Sequence, residues 1–148
     1  MKKLKFILES REYFSVEEVN WQEIKFVTTG KEHNLMYLGV VLPGNTEPTE
    51  GLEVTVQVVM DALYQPHISL PEDLRGKGLA AKIYRALVER LGHLYSGKGR
   101  RQNPMVDRVW AKLKMDTTIR CAENSIGTAC WLLDDELGDA LEEFLGEE

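Results

Sequence analysis

The chain has few of the residues on which metal centres and disulfide scaffolds depend. It contains two cysteines and three histidines in 148 residues, and none of them shows the paired spacing of metal ligands. Cys121 and Cys130 are too few for a disulfide framework. We expect no metal, and we expect both cysteines to pack as small apolar side chains of a strand in a reducing cytoplasm.

A long hydrophobic run is also missing. No apolar stretch approaches the roughly 18 residues that a membrane-spanning helix needs. The segment Met1–Leu8 is basic and then apolar, but Glu9 and Arg11 interrupt it before it reaches the roughly 7–15 apolar residues of a secretion signal. We therefore expect no membrane association and a cytoplasmic location, with Leu4–Leu8 as the first strand.

The chain lacks an excess of positive charge as well. Its formal net charge is −6, from 18 lysines and arginines against 24 aspartates and glutamates, which disfavours general binding to nucleic-acid phosphates. Positive charge is local, in Lys98, Arg100 and Arg101, and the end of the chain from Asp134 is acidic. The basic loop Gly97–Gln102 fits binding of an anionic substrate, a local contact with nucleic acid, or a solvated turn.

The apolar pattern indicates one domain over residues 1–148, of the α/β or α+β class, with a mixed, mostly antiparallel central sheet and flanking helices. Leu52–Met60 is the clearest strand, because it alternates and is rich in β-branched residues. The short polar loop before it predicts antiparallel pairing with Leu35–Leu42. His67–Leu70 and Ala129–Leu133 are further candidate strands.

Three segments have helical spacing. The first is Gly78–Leu91, where leucine or isoleucine recurs every four residues and Gly92 can end the helix. Asn103 followed by proline predicts the start of a second helix that runs to Leu113. A short amphipathic helix near the C-terminus presents Leu137, Leu141, Phe144 and Leu145. Its apolar stripe favours docking onto its own domain, and contact with a second copy in a homodimer is the alternative. Val16–Phe26 fits neither period.

The junction Leu70–Ala81 is the most informative segment. It leads from an apolar strand through two closely spaced glycines into the first helix. Gly76 and Gly78 let the backbone bend and approach a ligand closely, and Arg75 and Lys77 add positive charge. Backbone N–H groups and the dipole at a helix start favour a phosphate or pyrophosphate. An ordinary strand-to-helix turn is the alternative. The spacing matches neither a Walker A loop nor a complete Rossmann loop.

The pattern Pro-x-x-Leu-Arg-Gly-Lys-Gly-Leu-Ala over residues 71–80 resembles the acetyl-CoA loop of the GNAT-type N-acetyltransferases. In that family an Arg/Gln-x-x-Gly-x-Gly/Ala turn binds the pyrophosphate of CoA, and the preceding strand splays from its neighbour to bind the pantetheine arm. Asp73 stands where the first Arg or Gln is usual. The resemblance extends over residues 35–133 and is strongest over 67–113. There Leu91–Ser96 resembles the family's next strand, and Asn103 and Trp110 keep the spacing of the helix after it.

The resemblance implies a cytoplasmic enzyme that transfers an acetyl group from acetyl-CoA to an amine by direct attack. The amine would belong to a small molecule or a protein. Backbone N–H groups near Leu70 would polarise the thioester carbonyl. The implied cofactor-binding residues are Ser69, Leu70, Arg75, Gly76, Lys77, Gly78, Leu79, Ala80, Asn103 and Trp110. The loop Gly97–Gln102 could also meet the 3′-phosphate of CoA.

The candidate catalytic residue is His67, because imidazole changes charge near neutral pH and the residue lies on the strand expected to splay. Glu53, Asp61 and Glu72 are alternative bases. Trp110 stands where many relatives have the tyrosine proposed to protonate CoA, and an indole N–H is no practical acid. The competing hypothesis is therefore a binding or regulatory protein that keeps the fold, lacks turnover, and acts on a macromolecular partner.

Overall fold

The computed structural model describes residues 19–60, 62–97, 104–134 and 137–146. They form a mixed α+β fold with two antiparallel sheets and three α-helices. The first sheet has the strand order β1-β2-β3-β4, formed by Lys25–Glu32, Leu35–Val41, Glu53–Val59 and Leu63–Ser69. The second has the order β5-β7-β6, with β5 at His93–Gly97, β6 at Ile119–Glu123 and β7 at Gly127–Leu132.

The predicted antiparallel pair is confirmed, since Leu38 of β2 lies opposite Val54 of β3. The strand expected at His67–Leu70 begins earlier, at Leu63. Two strands were not predicted, β1 and β6. The pattern of β1 is weak because most of its side chains are exposed, and among the described strands it lies at the end of the sheet. The strand expected at Leu4–Leu8 lies outside the described residues.

The three helices occur where periodicity placed them. Helix α1 spans Leu79–Leu91, α2 spans Pro104–Met115 and α3 spans Asp139–Gly146. Gly92 ends α1 with a positive φ of 93°, and its N–H donates to the carbonyl of Val88. In the part of the chain that the structure describes, no helix combines the length and apolarity needed to cross a membrane.

In the described part of the chain, the buried side chains form two clusters. The larger lies between α1, α2 and the apolar face of the first sheet, and it includes Val54, Val56, Ile83, Leu87 and Trp110. The smaller lies on the opposite side of the second sheet, where α3 packs on it through Leu141 and Phe144. Helix α3 therefore docks onto its own domain, as its apolar stripe predicted.

The prediction for the cysteines was wrong, because Cys121 and Cys130 form a disulfide. The cysteines lie directly opposite each other in the antiparallel pair of β6 and β7, with Cα atoms 4.1 Å apart. Such cross-strand neighbours bring their side chains into contact. The expectation depended on the number of cysteines and on a reducing cytoplasm, whereas the pairing depends on the unpredicted strand β6, which places Cys121 opposite Cys130.

Candidate functional site

The two sheets meet along β4 and β5 without a backbone ladder between them. Two hydrogen bonds to side chains connect these edges instead. The Tyr64 N–H donates to Nε2 of His93 over 3.3 Å, and the Gly97 N–H donates to Oε1 of Gln65 over 3.0 Å. The Tyr64 and His93 rings also stack, with centroids 4.9 Å apart. Strands β4 and β5 are therefore held together at these two points, and no backbone ladder joins them along the rest of their length.

Pro66 explains part of this separation. Backbone N–H groups of alternate residues in a strand point to the same side, so the nitrogen of Pro66 faces β5 as the Tyr64 N–H does. Proline has no N–H to donate to a ladder on that side. Ile68 is the next residue of β4 whose N–H and carbonyl point toward β5, and both groups face the gap between the two strands. The sequence analysis did not single out Pro66, which lies within β4.

A cavity of about 600 Å³ passes between the separated strands. Its walls come from both sides of the first sheet. On the core side lie Pro66, Ile68 and, from the helices, Tyr84 and Trp110. The opposite wall is polar except for Leu35, which lies beside Gln57. We call this space the split cavity, and it is large enough for a small molecule or part of a cofactor.

The glycine turn lies at the start of α1 and bounds a smaller pocket of about 120 Å³, the turn pocket. Gly76 has a φ of 73° and Gly78 a φ of 86°, so both occupy the left-handed region that favours glycine. Gly78 caps the helix without a side-chain hydrogen bond, and the first bond inside the helix runs from the Lys82 N–H to its carbonyl. The preceding N–H groups of α1 are thus without a helical partner.

Two cations that the sequence analysis did not single out flank the turn pocket. Arg108 and Lys112 lie on α2, four residues apart, and face the start of α1. A Cβ atom added at Gly78 would lie 2.9 Å from Nζ of Lys112. Their spacing is visible in the sequence, but only the packing of α2 beside α1 shows which helix end they approach.

A groove of about 330 Å³ connects the two spaces. It shares Leu70 and Ala80 with the turn pocket, and His67 and Ser69 with the split cavity. Arg75 lies on its wall, and its Nε donates to the carbonyl of Leu70 over 3.0 Å. The three spaces adjoin one another in a row from the helix start to the separated strands, and we call this row the passage.

The passage brings together most of the residues predicted for the site. Its walls include His67, Ser69, Leu70, Arg75, Gly76, Gly78, Leu79, Ala80 and Trp110. Lys77 is exposed and does not belong to these walls. Asn103 lies outside the described residues, as do Asp61 and most of the basic loop Gly97–Gln102.

Trp110 is nearly inaccessible to solvent, with 1% of its surface exposed. Its ring packs edge-on against Tyr84, with centroids 5.9 Å apart, and both side chains form the inner wall of the split cavity. Burial raises the pKa of Tyr84 far above the ordinary value of a phenol. Tyr84 therefore keeps its proton at any physiological pH.

The titratable candidates differ in their position. His67 and Glu53 are both exposed side chains on the polar wall of the split cavity. His67 lies opposite Thr55, and Glu53 lies opposite Ser69, so the two are diagonal neighbours on adjacent strands. Glu72 lies in a short 3-10 helix after β4, away from these walls. A proton acceptor in the split cavity can thus come from β3 or β4.

Among the described residues, no group of three or more His, Cys, Asp or Glu side chains is arranged to hold a metal ion. No protein-family model matches the chain, and no curated protein is significantly similar to it in sequence. Membership of the GNAT superfamily therefore stays a prediction from residues 67–113.

Proposed function

We propose that this protein is a GNAT-type N-acetyltransferase that takes its acetyl group from acetyl-CoA. The observation that carries the proposal is the row of adjoining spaces from the glycine turn at the start of α1 to the space between β4 and β5. An elongated ligand with an anionic middle and a thin polar arm fits such a passage. CoA has this form.

The residues of the passage fit the two parts of that ligand. At the turn pocket, the free N–H groups of α1 and the cations Arg108 and Lys112 suit a pyrophosphate. A Cβ added at Gly76 would meet no atom within 4 Å, so this backbone is open to a close approach. Along the groove, the edge of β4 at Ile68 offers an N–H and a carbonyl to an amide-containing arm.

Acetyl-CoA would supply an activated acetyl group as a thioester. The nitrogen of a neutral amine forms the new bond to the acetyl carbon while the carbon–sulfur bond breaks, and the sulfur leaves with the electron pair. His67 or Glu53 would accept the proton that the amine loses. Holding both reactants in the passage supplies much of the rate by proximity. The CoA thiolate then takes a proton from solvent.

Calorimetric titration with acetyl-CoA tests the cofactor site. Gly76→Asp places a carboxylate among the N–H groups of the turn, and we expect it to weaken acetyl-CoA binding about 10- to 100-fold. Gly76→Asn introduces a side chain of the same shape without the charge, so its affinity for acetyl-CoA should fall much less than that of Gly76→Asp. Gly44→Asp is the matched control, because Gly44 also has a positive φ of 88° and no atom within 4 Å of an added Cβ.

The cations of α2 allow a second test of the cofactor site. Lys112→Gln should weaken acetyl-CoA binding roughly two- to fivefold and reduce its dependence on salt. Lys114→Gln is its control, since Lys114 lies on the same helix but pairs with Glu123 at 2.9 Å. A folded wild-type protein that shows no acetyl-CoA binding would refute the proposal.

The second candidate is a binding or regulatory protein that retains this fold and acts on a macromolecular partner. The observation that favours it is the buried Trp110 in the position where many GNAT enzymes have their proposed acid. Release of free thiol from acetyl-CoA, measured with a broad panel of amines and proteins, separates the two. Binding of acetyl-CoA without thiol release for any acceptor supports this second candidate.

A further inference from the structure

The polar wall of the split cavity is built from three cross-strand pairs, with Leu35 of β2 beside them as its apolar member. Glu53 lies opposite Ser69, Thr55 opposite His67, and Gln57 opposite Gln65. Side chains two residues apart in a strand point to the same face, so these six polar groups form one patch. We call the patch the polar row.

The polar row contrasts with the rest of the same two strands. Val54 and Val56, the intervening residues of β3, are completely buried in the core on the other face. Leu63, at the beginning of β4, faces the same side as the polar row but is buried in the cluster that includes α3. Beyond Leu63 the face opens, because Gln65 is half-buried while His67 and Ser69 are exposed. The polar row thus begins where this apolar cover ends.

An exposed polar face of a sheet is ordinary in itself, but this one is concave. It forms one wall of the split cavity, whose volume of about 600 Å³ lies within the range of small-molecule sites. Gln65 closes the far end, since its Oε1 accepts the Gly97 N–H from β5. The space therefore suits a compact molecule better than an extended peptide.

The charges are divided along the passage. Among the described residues that line the split cavity, Glu53 is the carboxylate and there is no lysine or arginine. The cations Arg75, Arg108 and Lys112 belong to the groove and the turn pocket instead. A ligand with an ammonium group gains a partner in Glu53, whereas these walls offer an anionic ligand no permanent cation.

We propose that the acceptor is a small polar amine of the amino-sugar type, which carries hydroxyl groups and no anionic group. This inference rests on the proposed function and specifies the acceptor. Glu53 attracts the ammonium group. Thr55, Gln57 and Gln65 supply hydroxyl and amide groups that can donate to or accept from hydroxyl groups of the ligand. Ser69 and His67 place the amine at the groove.

Three probes separate the features of the proposed acceptor. D-glucosamine has the ammonium and the hydroxyl groups, D-glucosamine 6-phosphate adds an anion, and cyclohexylamine lacks the hydroxyl groups. With protein saturated with acetyl-CoA, affinity and thiol release are measured for each. We expect glucosamine to be preferred over both others by about tenfold or more in affinity and in kcat/KM. Equal or better performance of either comparison amine overturns the inference, as does the failure of all three.

Variants connect the preference to the polar row. Glu53→Gln should weaken glucosamine binding about five- to tenfold without changing the affinity for acetyl-CoA. Glu50→Gln is the matched control, because Glu50 is a nearby exposed carboxylate outside the cavity walls. Gln57→Leu should reduce the preference for glucosamine over cyclohexylamine. If the preference is unchanged in both variants, the polar row does not select the acceptor.

The two proposals can fail separately. Loss of the expected amine preference with normal acetyl-CoA binding refutes the inference about the acceptor and leaves the proposed function standing. Absence of acetyl-CoA binding by the folded wild-type protein refutes the proposed function itself.

Discussion

At the scale of single residues, Arg85 shows how a buried charge is accommodated. Its side chain is 7% exposed, and its guanidinium lies 3.9 Å above the ring of Trp21. It contacts Glu89 and Asp116 at 3.3 Å each and donates to Oγ1 of Thr118 over 2.9 Å. These partners replace the water that the cation loses on burial. Arg85 therefore connects α1 with Trp21, which precedes the first sheet, and with Asp116 and Thr118, which follow α2.

The pKa of Asp116 gives this network a pH dependence. Burial acts to raise the pKa of the carboxyl, but hydrogen bonds from Thr118 and the charge of Arg85 outweigh it, so the pKa lies below its ordinary value. The resulting stabilisation is complete above the ordinary value of about 4 and is lost as the pH falls through the folded-state pKa. Acid therefore weakens this part of the structure.

Asp116→Asn should lower the free energy of unfolding at pH 7 by about 1–3 kcal/mol and flatten its decline below about pH 4. Urea denaturation between pH 7 and pH 2 measures both effects. Glu89→Gln is the control, since that side chain is 49% exposed and its pair with Arg85 is worth less than about 1 kcal/mol. An unchanged acid slope in Asp116→Asn would contradict this account.

At the scale of elements, the hairpin of β6 and β7 organises the second sheet. Asn124 is buried at the turn, where its Oδ1 accepts the N–H groups of Ile126 and Gly127. Its Nδ2 donates to the carbonyl of Phe144 in α3 over 2.7 Å. One amide side chain thus shapes the turn and anchors the C-terminal helix, while the disulfide joins the two strands.

Gly127→Ala tests how closely β7 must approach β5. A Cβ at this position would lie 2.2 Å from the carbonyl oxygen of Ser96, which is backbone and cannot move aside independently. We expect the free energy of unfolding to fall by roughly 1–3 kcal/mol, as for other overpacked sites. In Gly138→Ala the added Cβ meets nothing within 4 Å, so its stability should change little. If urea denaturation gives both variants the same free energy of unfolding, the close approach of β7 to β5 at Gly127 would be contradicted.

At the scale of the whole molecule, the two sheets are joined by side chains where a backbone ladder would otherwise run. His93 is central to this junction, because its ring stacks on Tyr64 and its Nε2 accepts the Tyr64 N–H. An imidazolium has no lone pair with which to accept this bond. Burial lowers the pKa of His93, and a hydrogen bond with the backbone of Ala62 offsets this only in part.

The junction should therefore weaken in mild acid. Since His93 binds a proton less readily in the folded than in the unfolded chain, the free energy of unfolding falls as the pH decreases from 6.5 toward the lower folded-state pKa. His93→Gln should remove this part of the pH dependence. NMR titration of the imidazole in the wild-type protein provides the direct measurement, and a midpoint at or above 6.5 would exclude this role.

Local features of the sequence predicted much of the fold and part of the site. The four-residue spacing from Leu79 to Leu91, ended by Gly92, correctly predicted α1, and alternation predicted β3 and its pairing with β2. These signals depend on neighbours along the chain. Strand β1 gave a weak signal because its side chains are mostly exposed, so it lacks the alternation that marks a half-buried strand.

The sequence by itself determined that Gly76 and Gly78 precede an amphipathic helix, because backbone conformation and periodicity are local properties. Only the tertiary structure decided what surrounds that turn. Packing of α2 beside α1 brought Lys112 to it, and pairing of β6 with β7 joined the cysteines. The separation of β4 from β5 created the passage. These are contacts between segments far apart in the chain, and no local pattern encodes their distances.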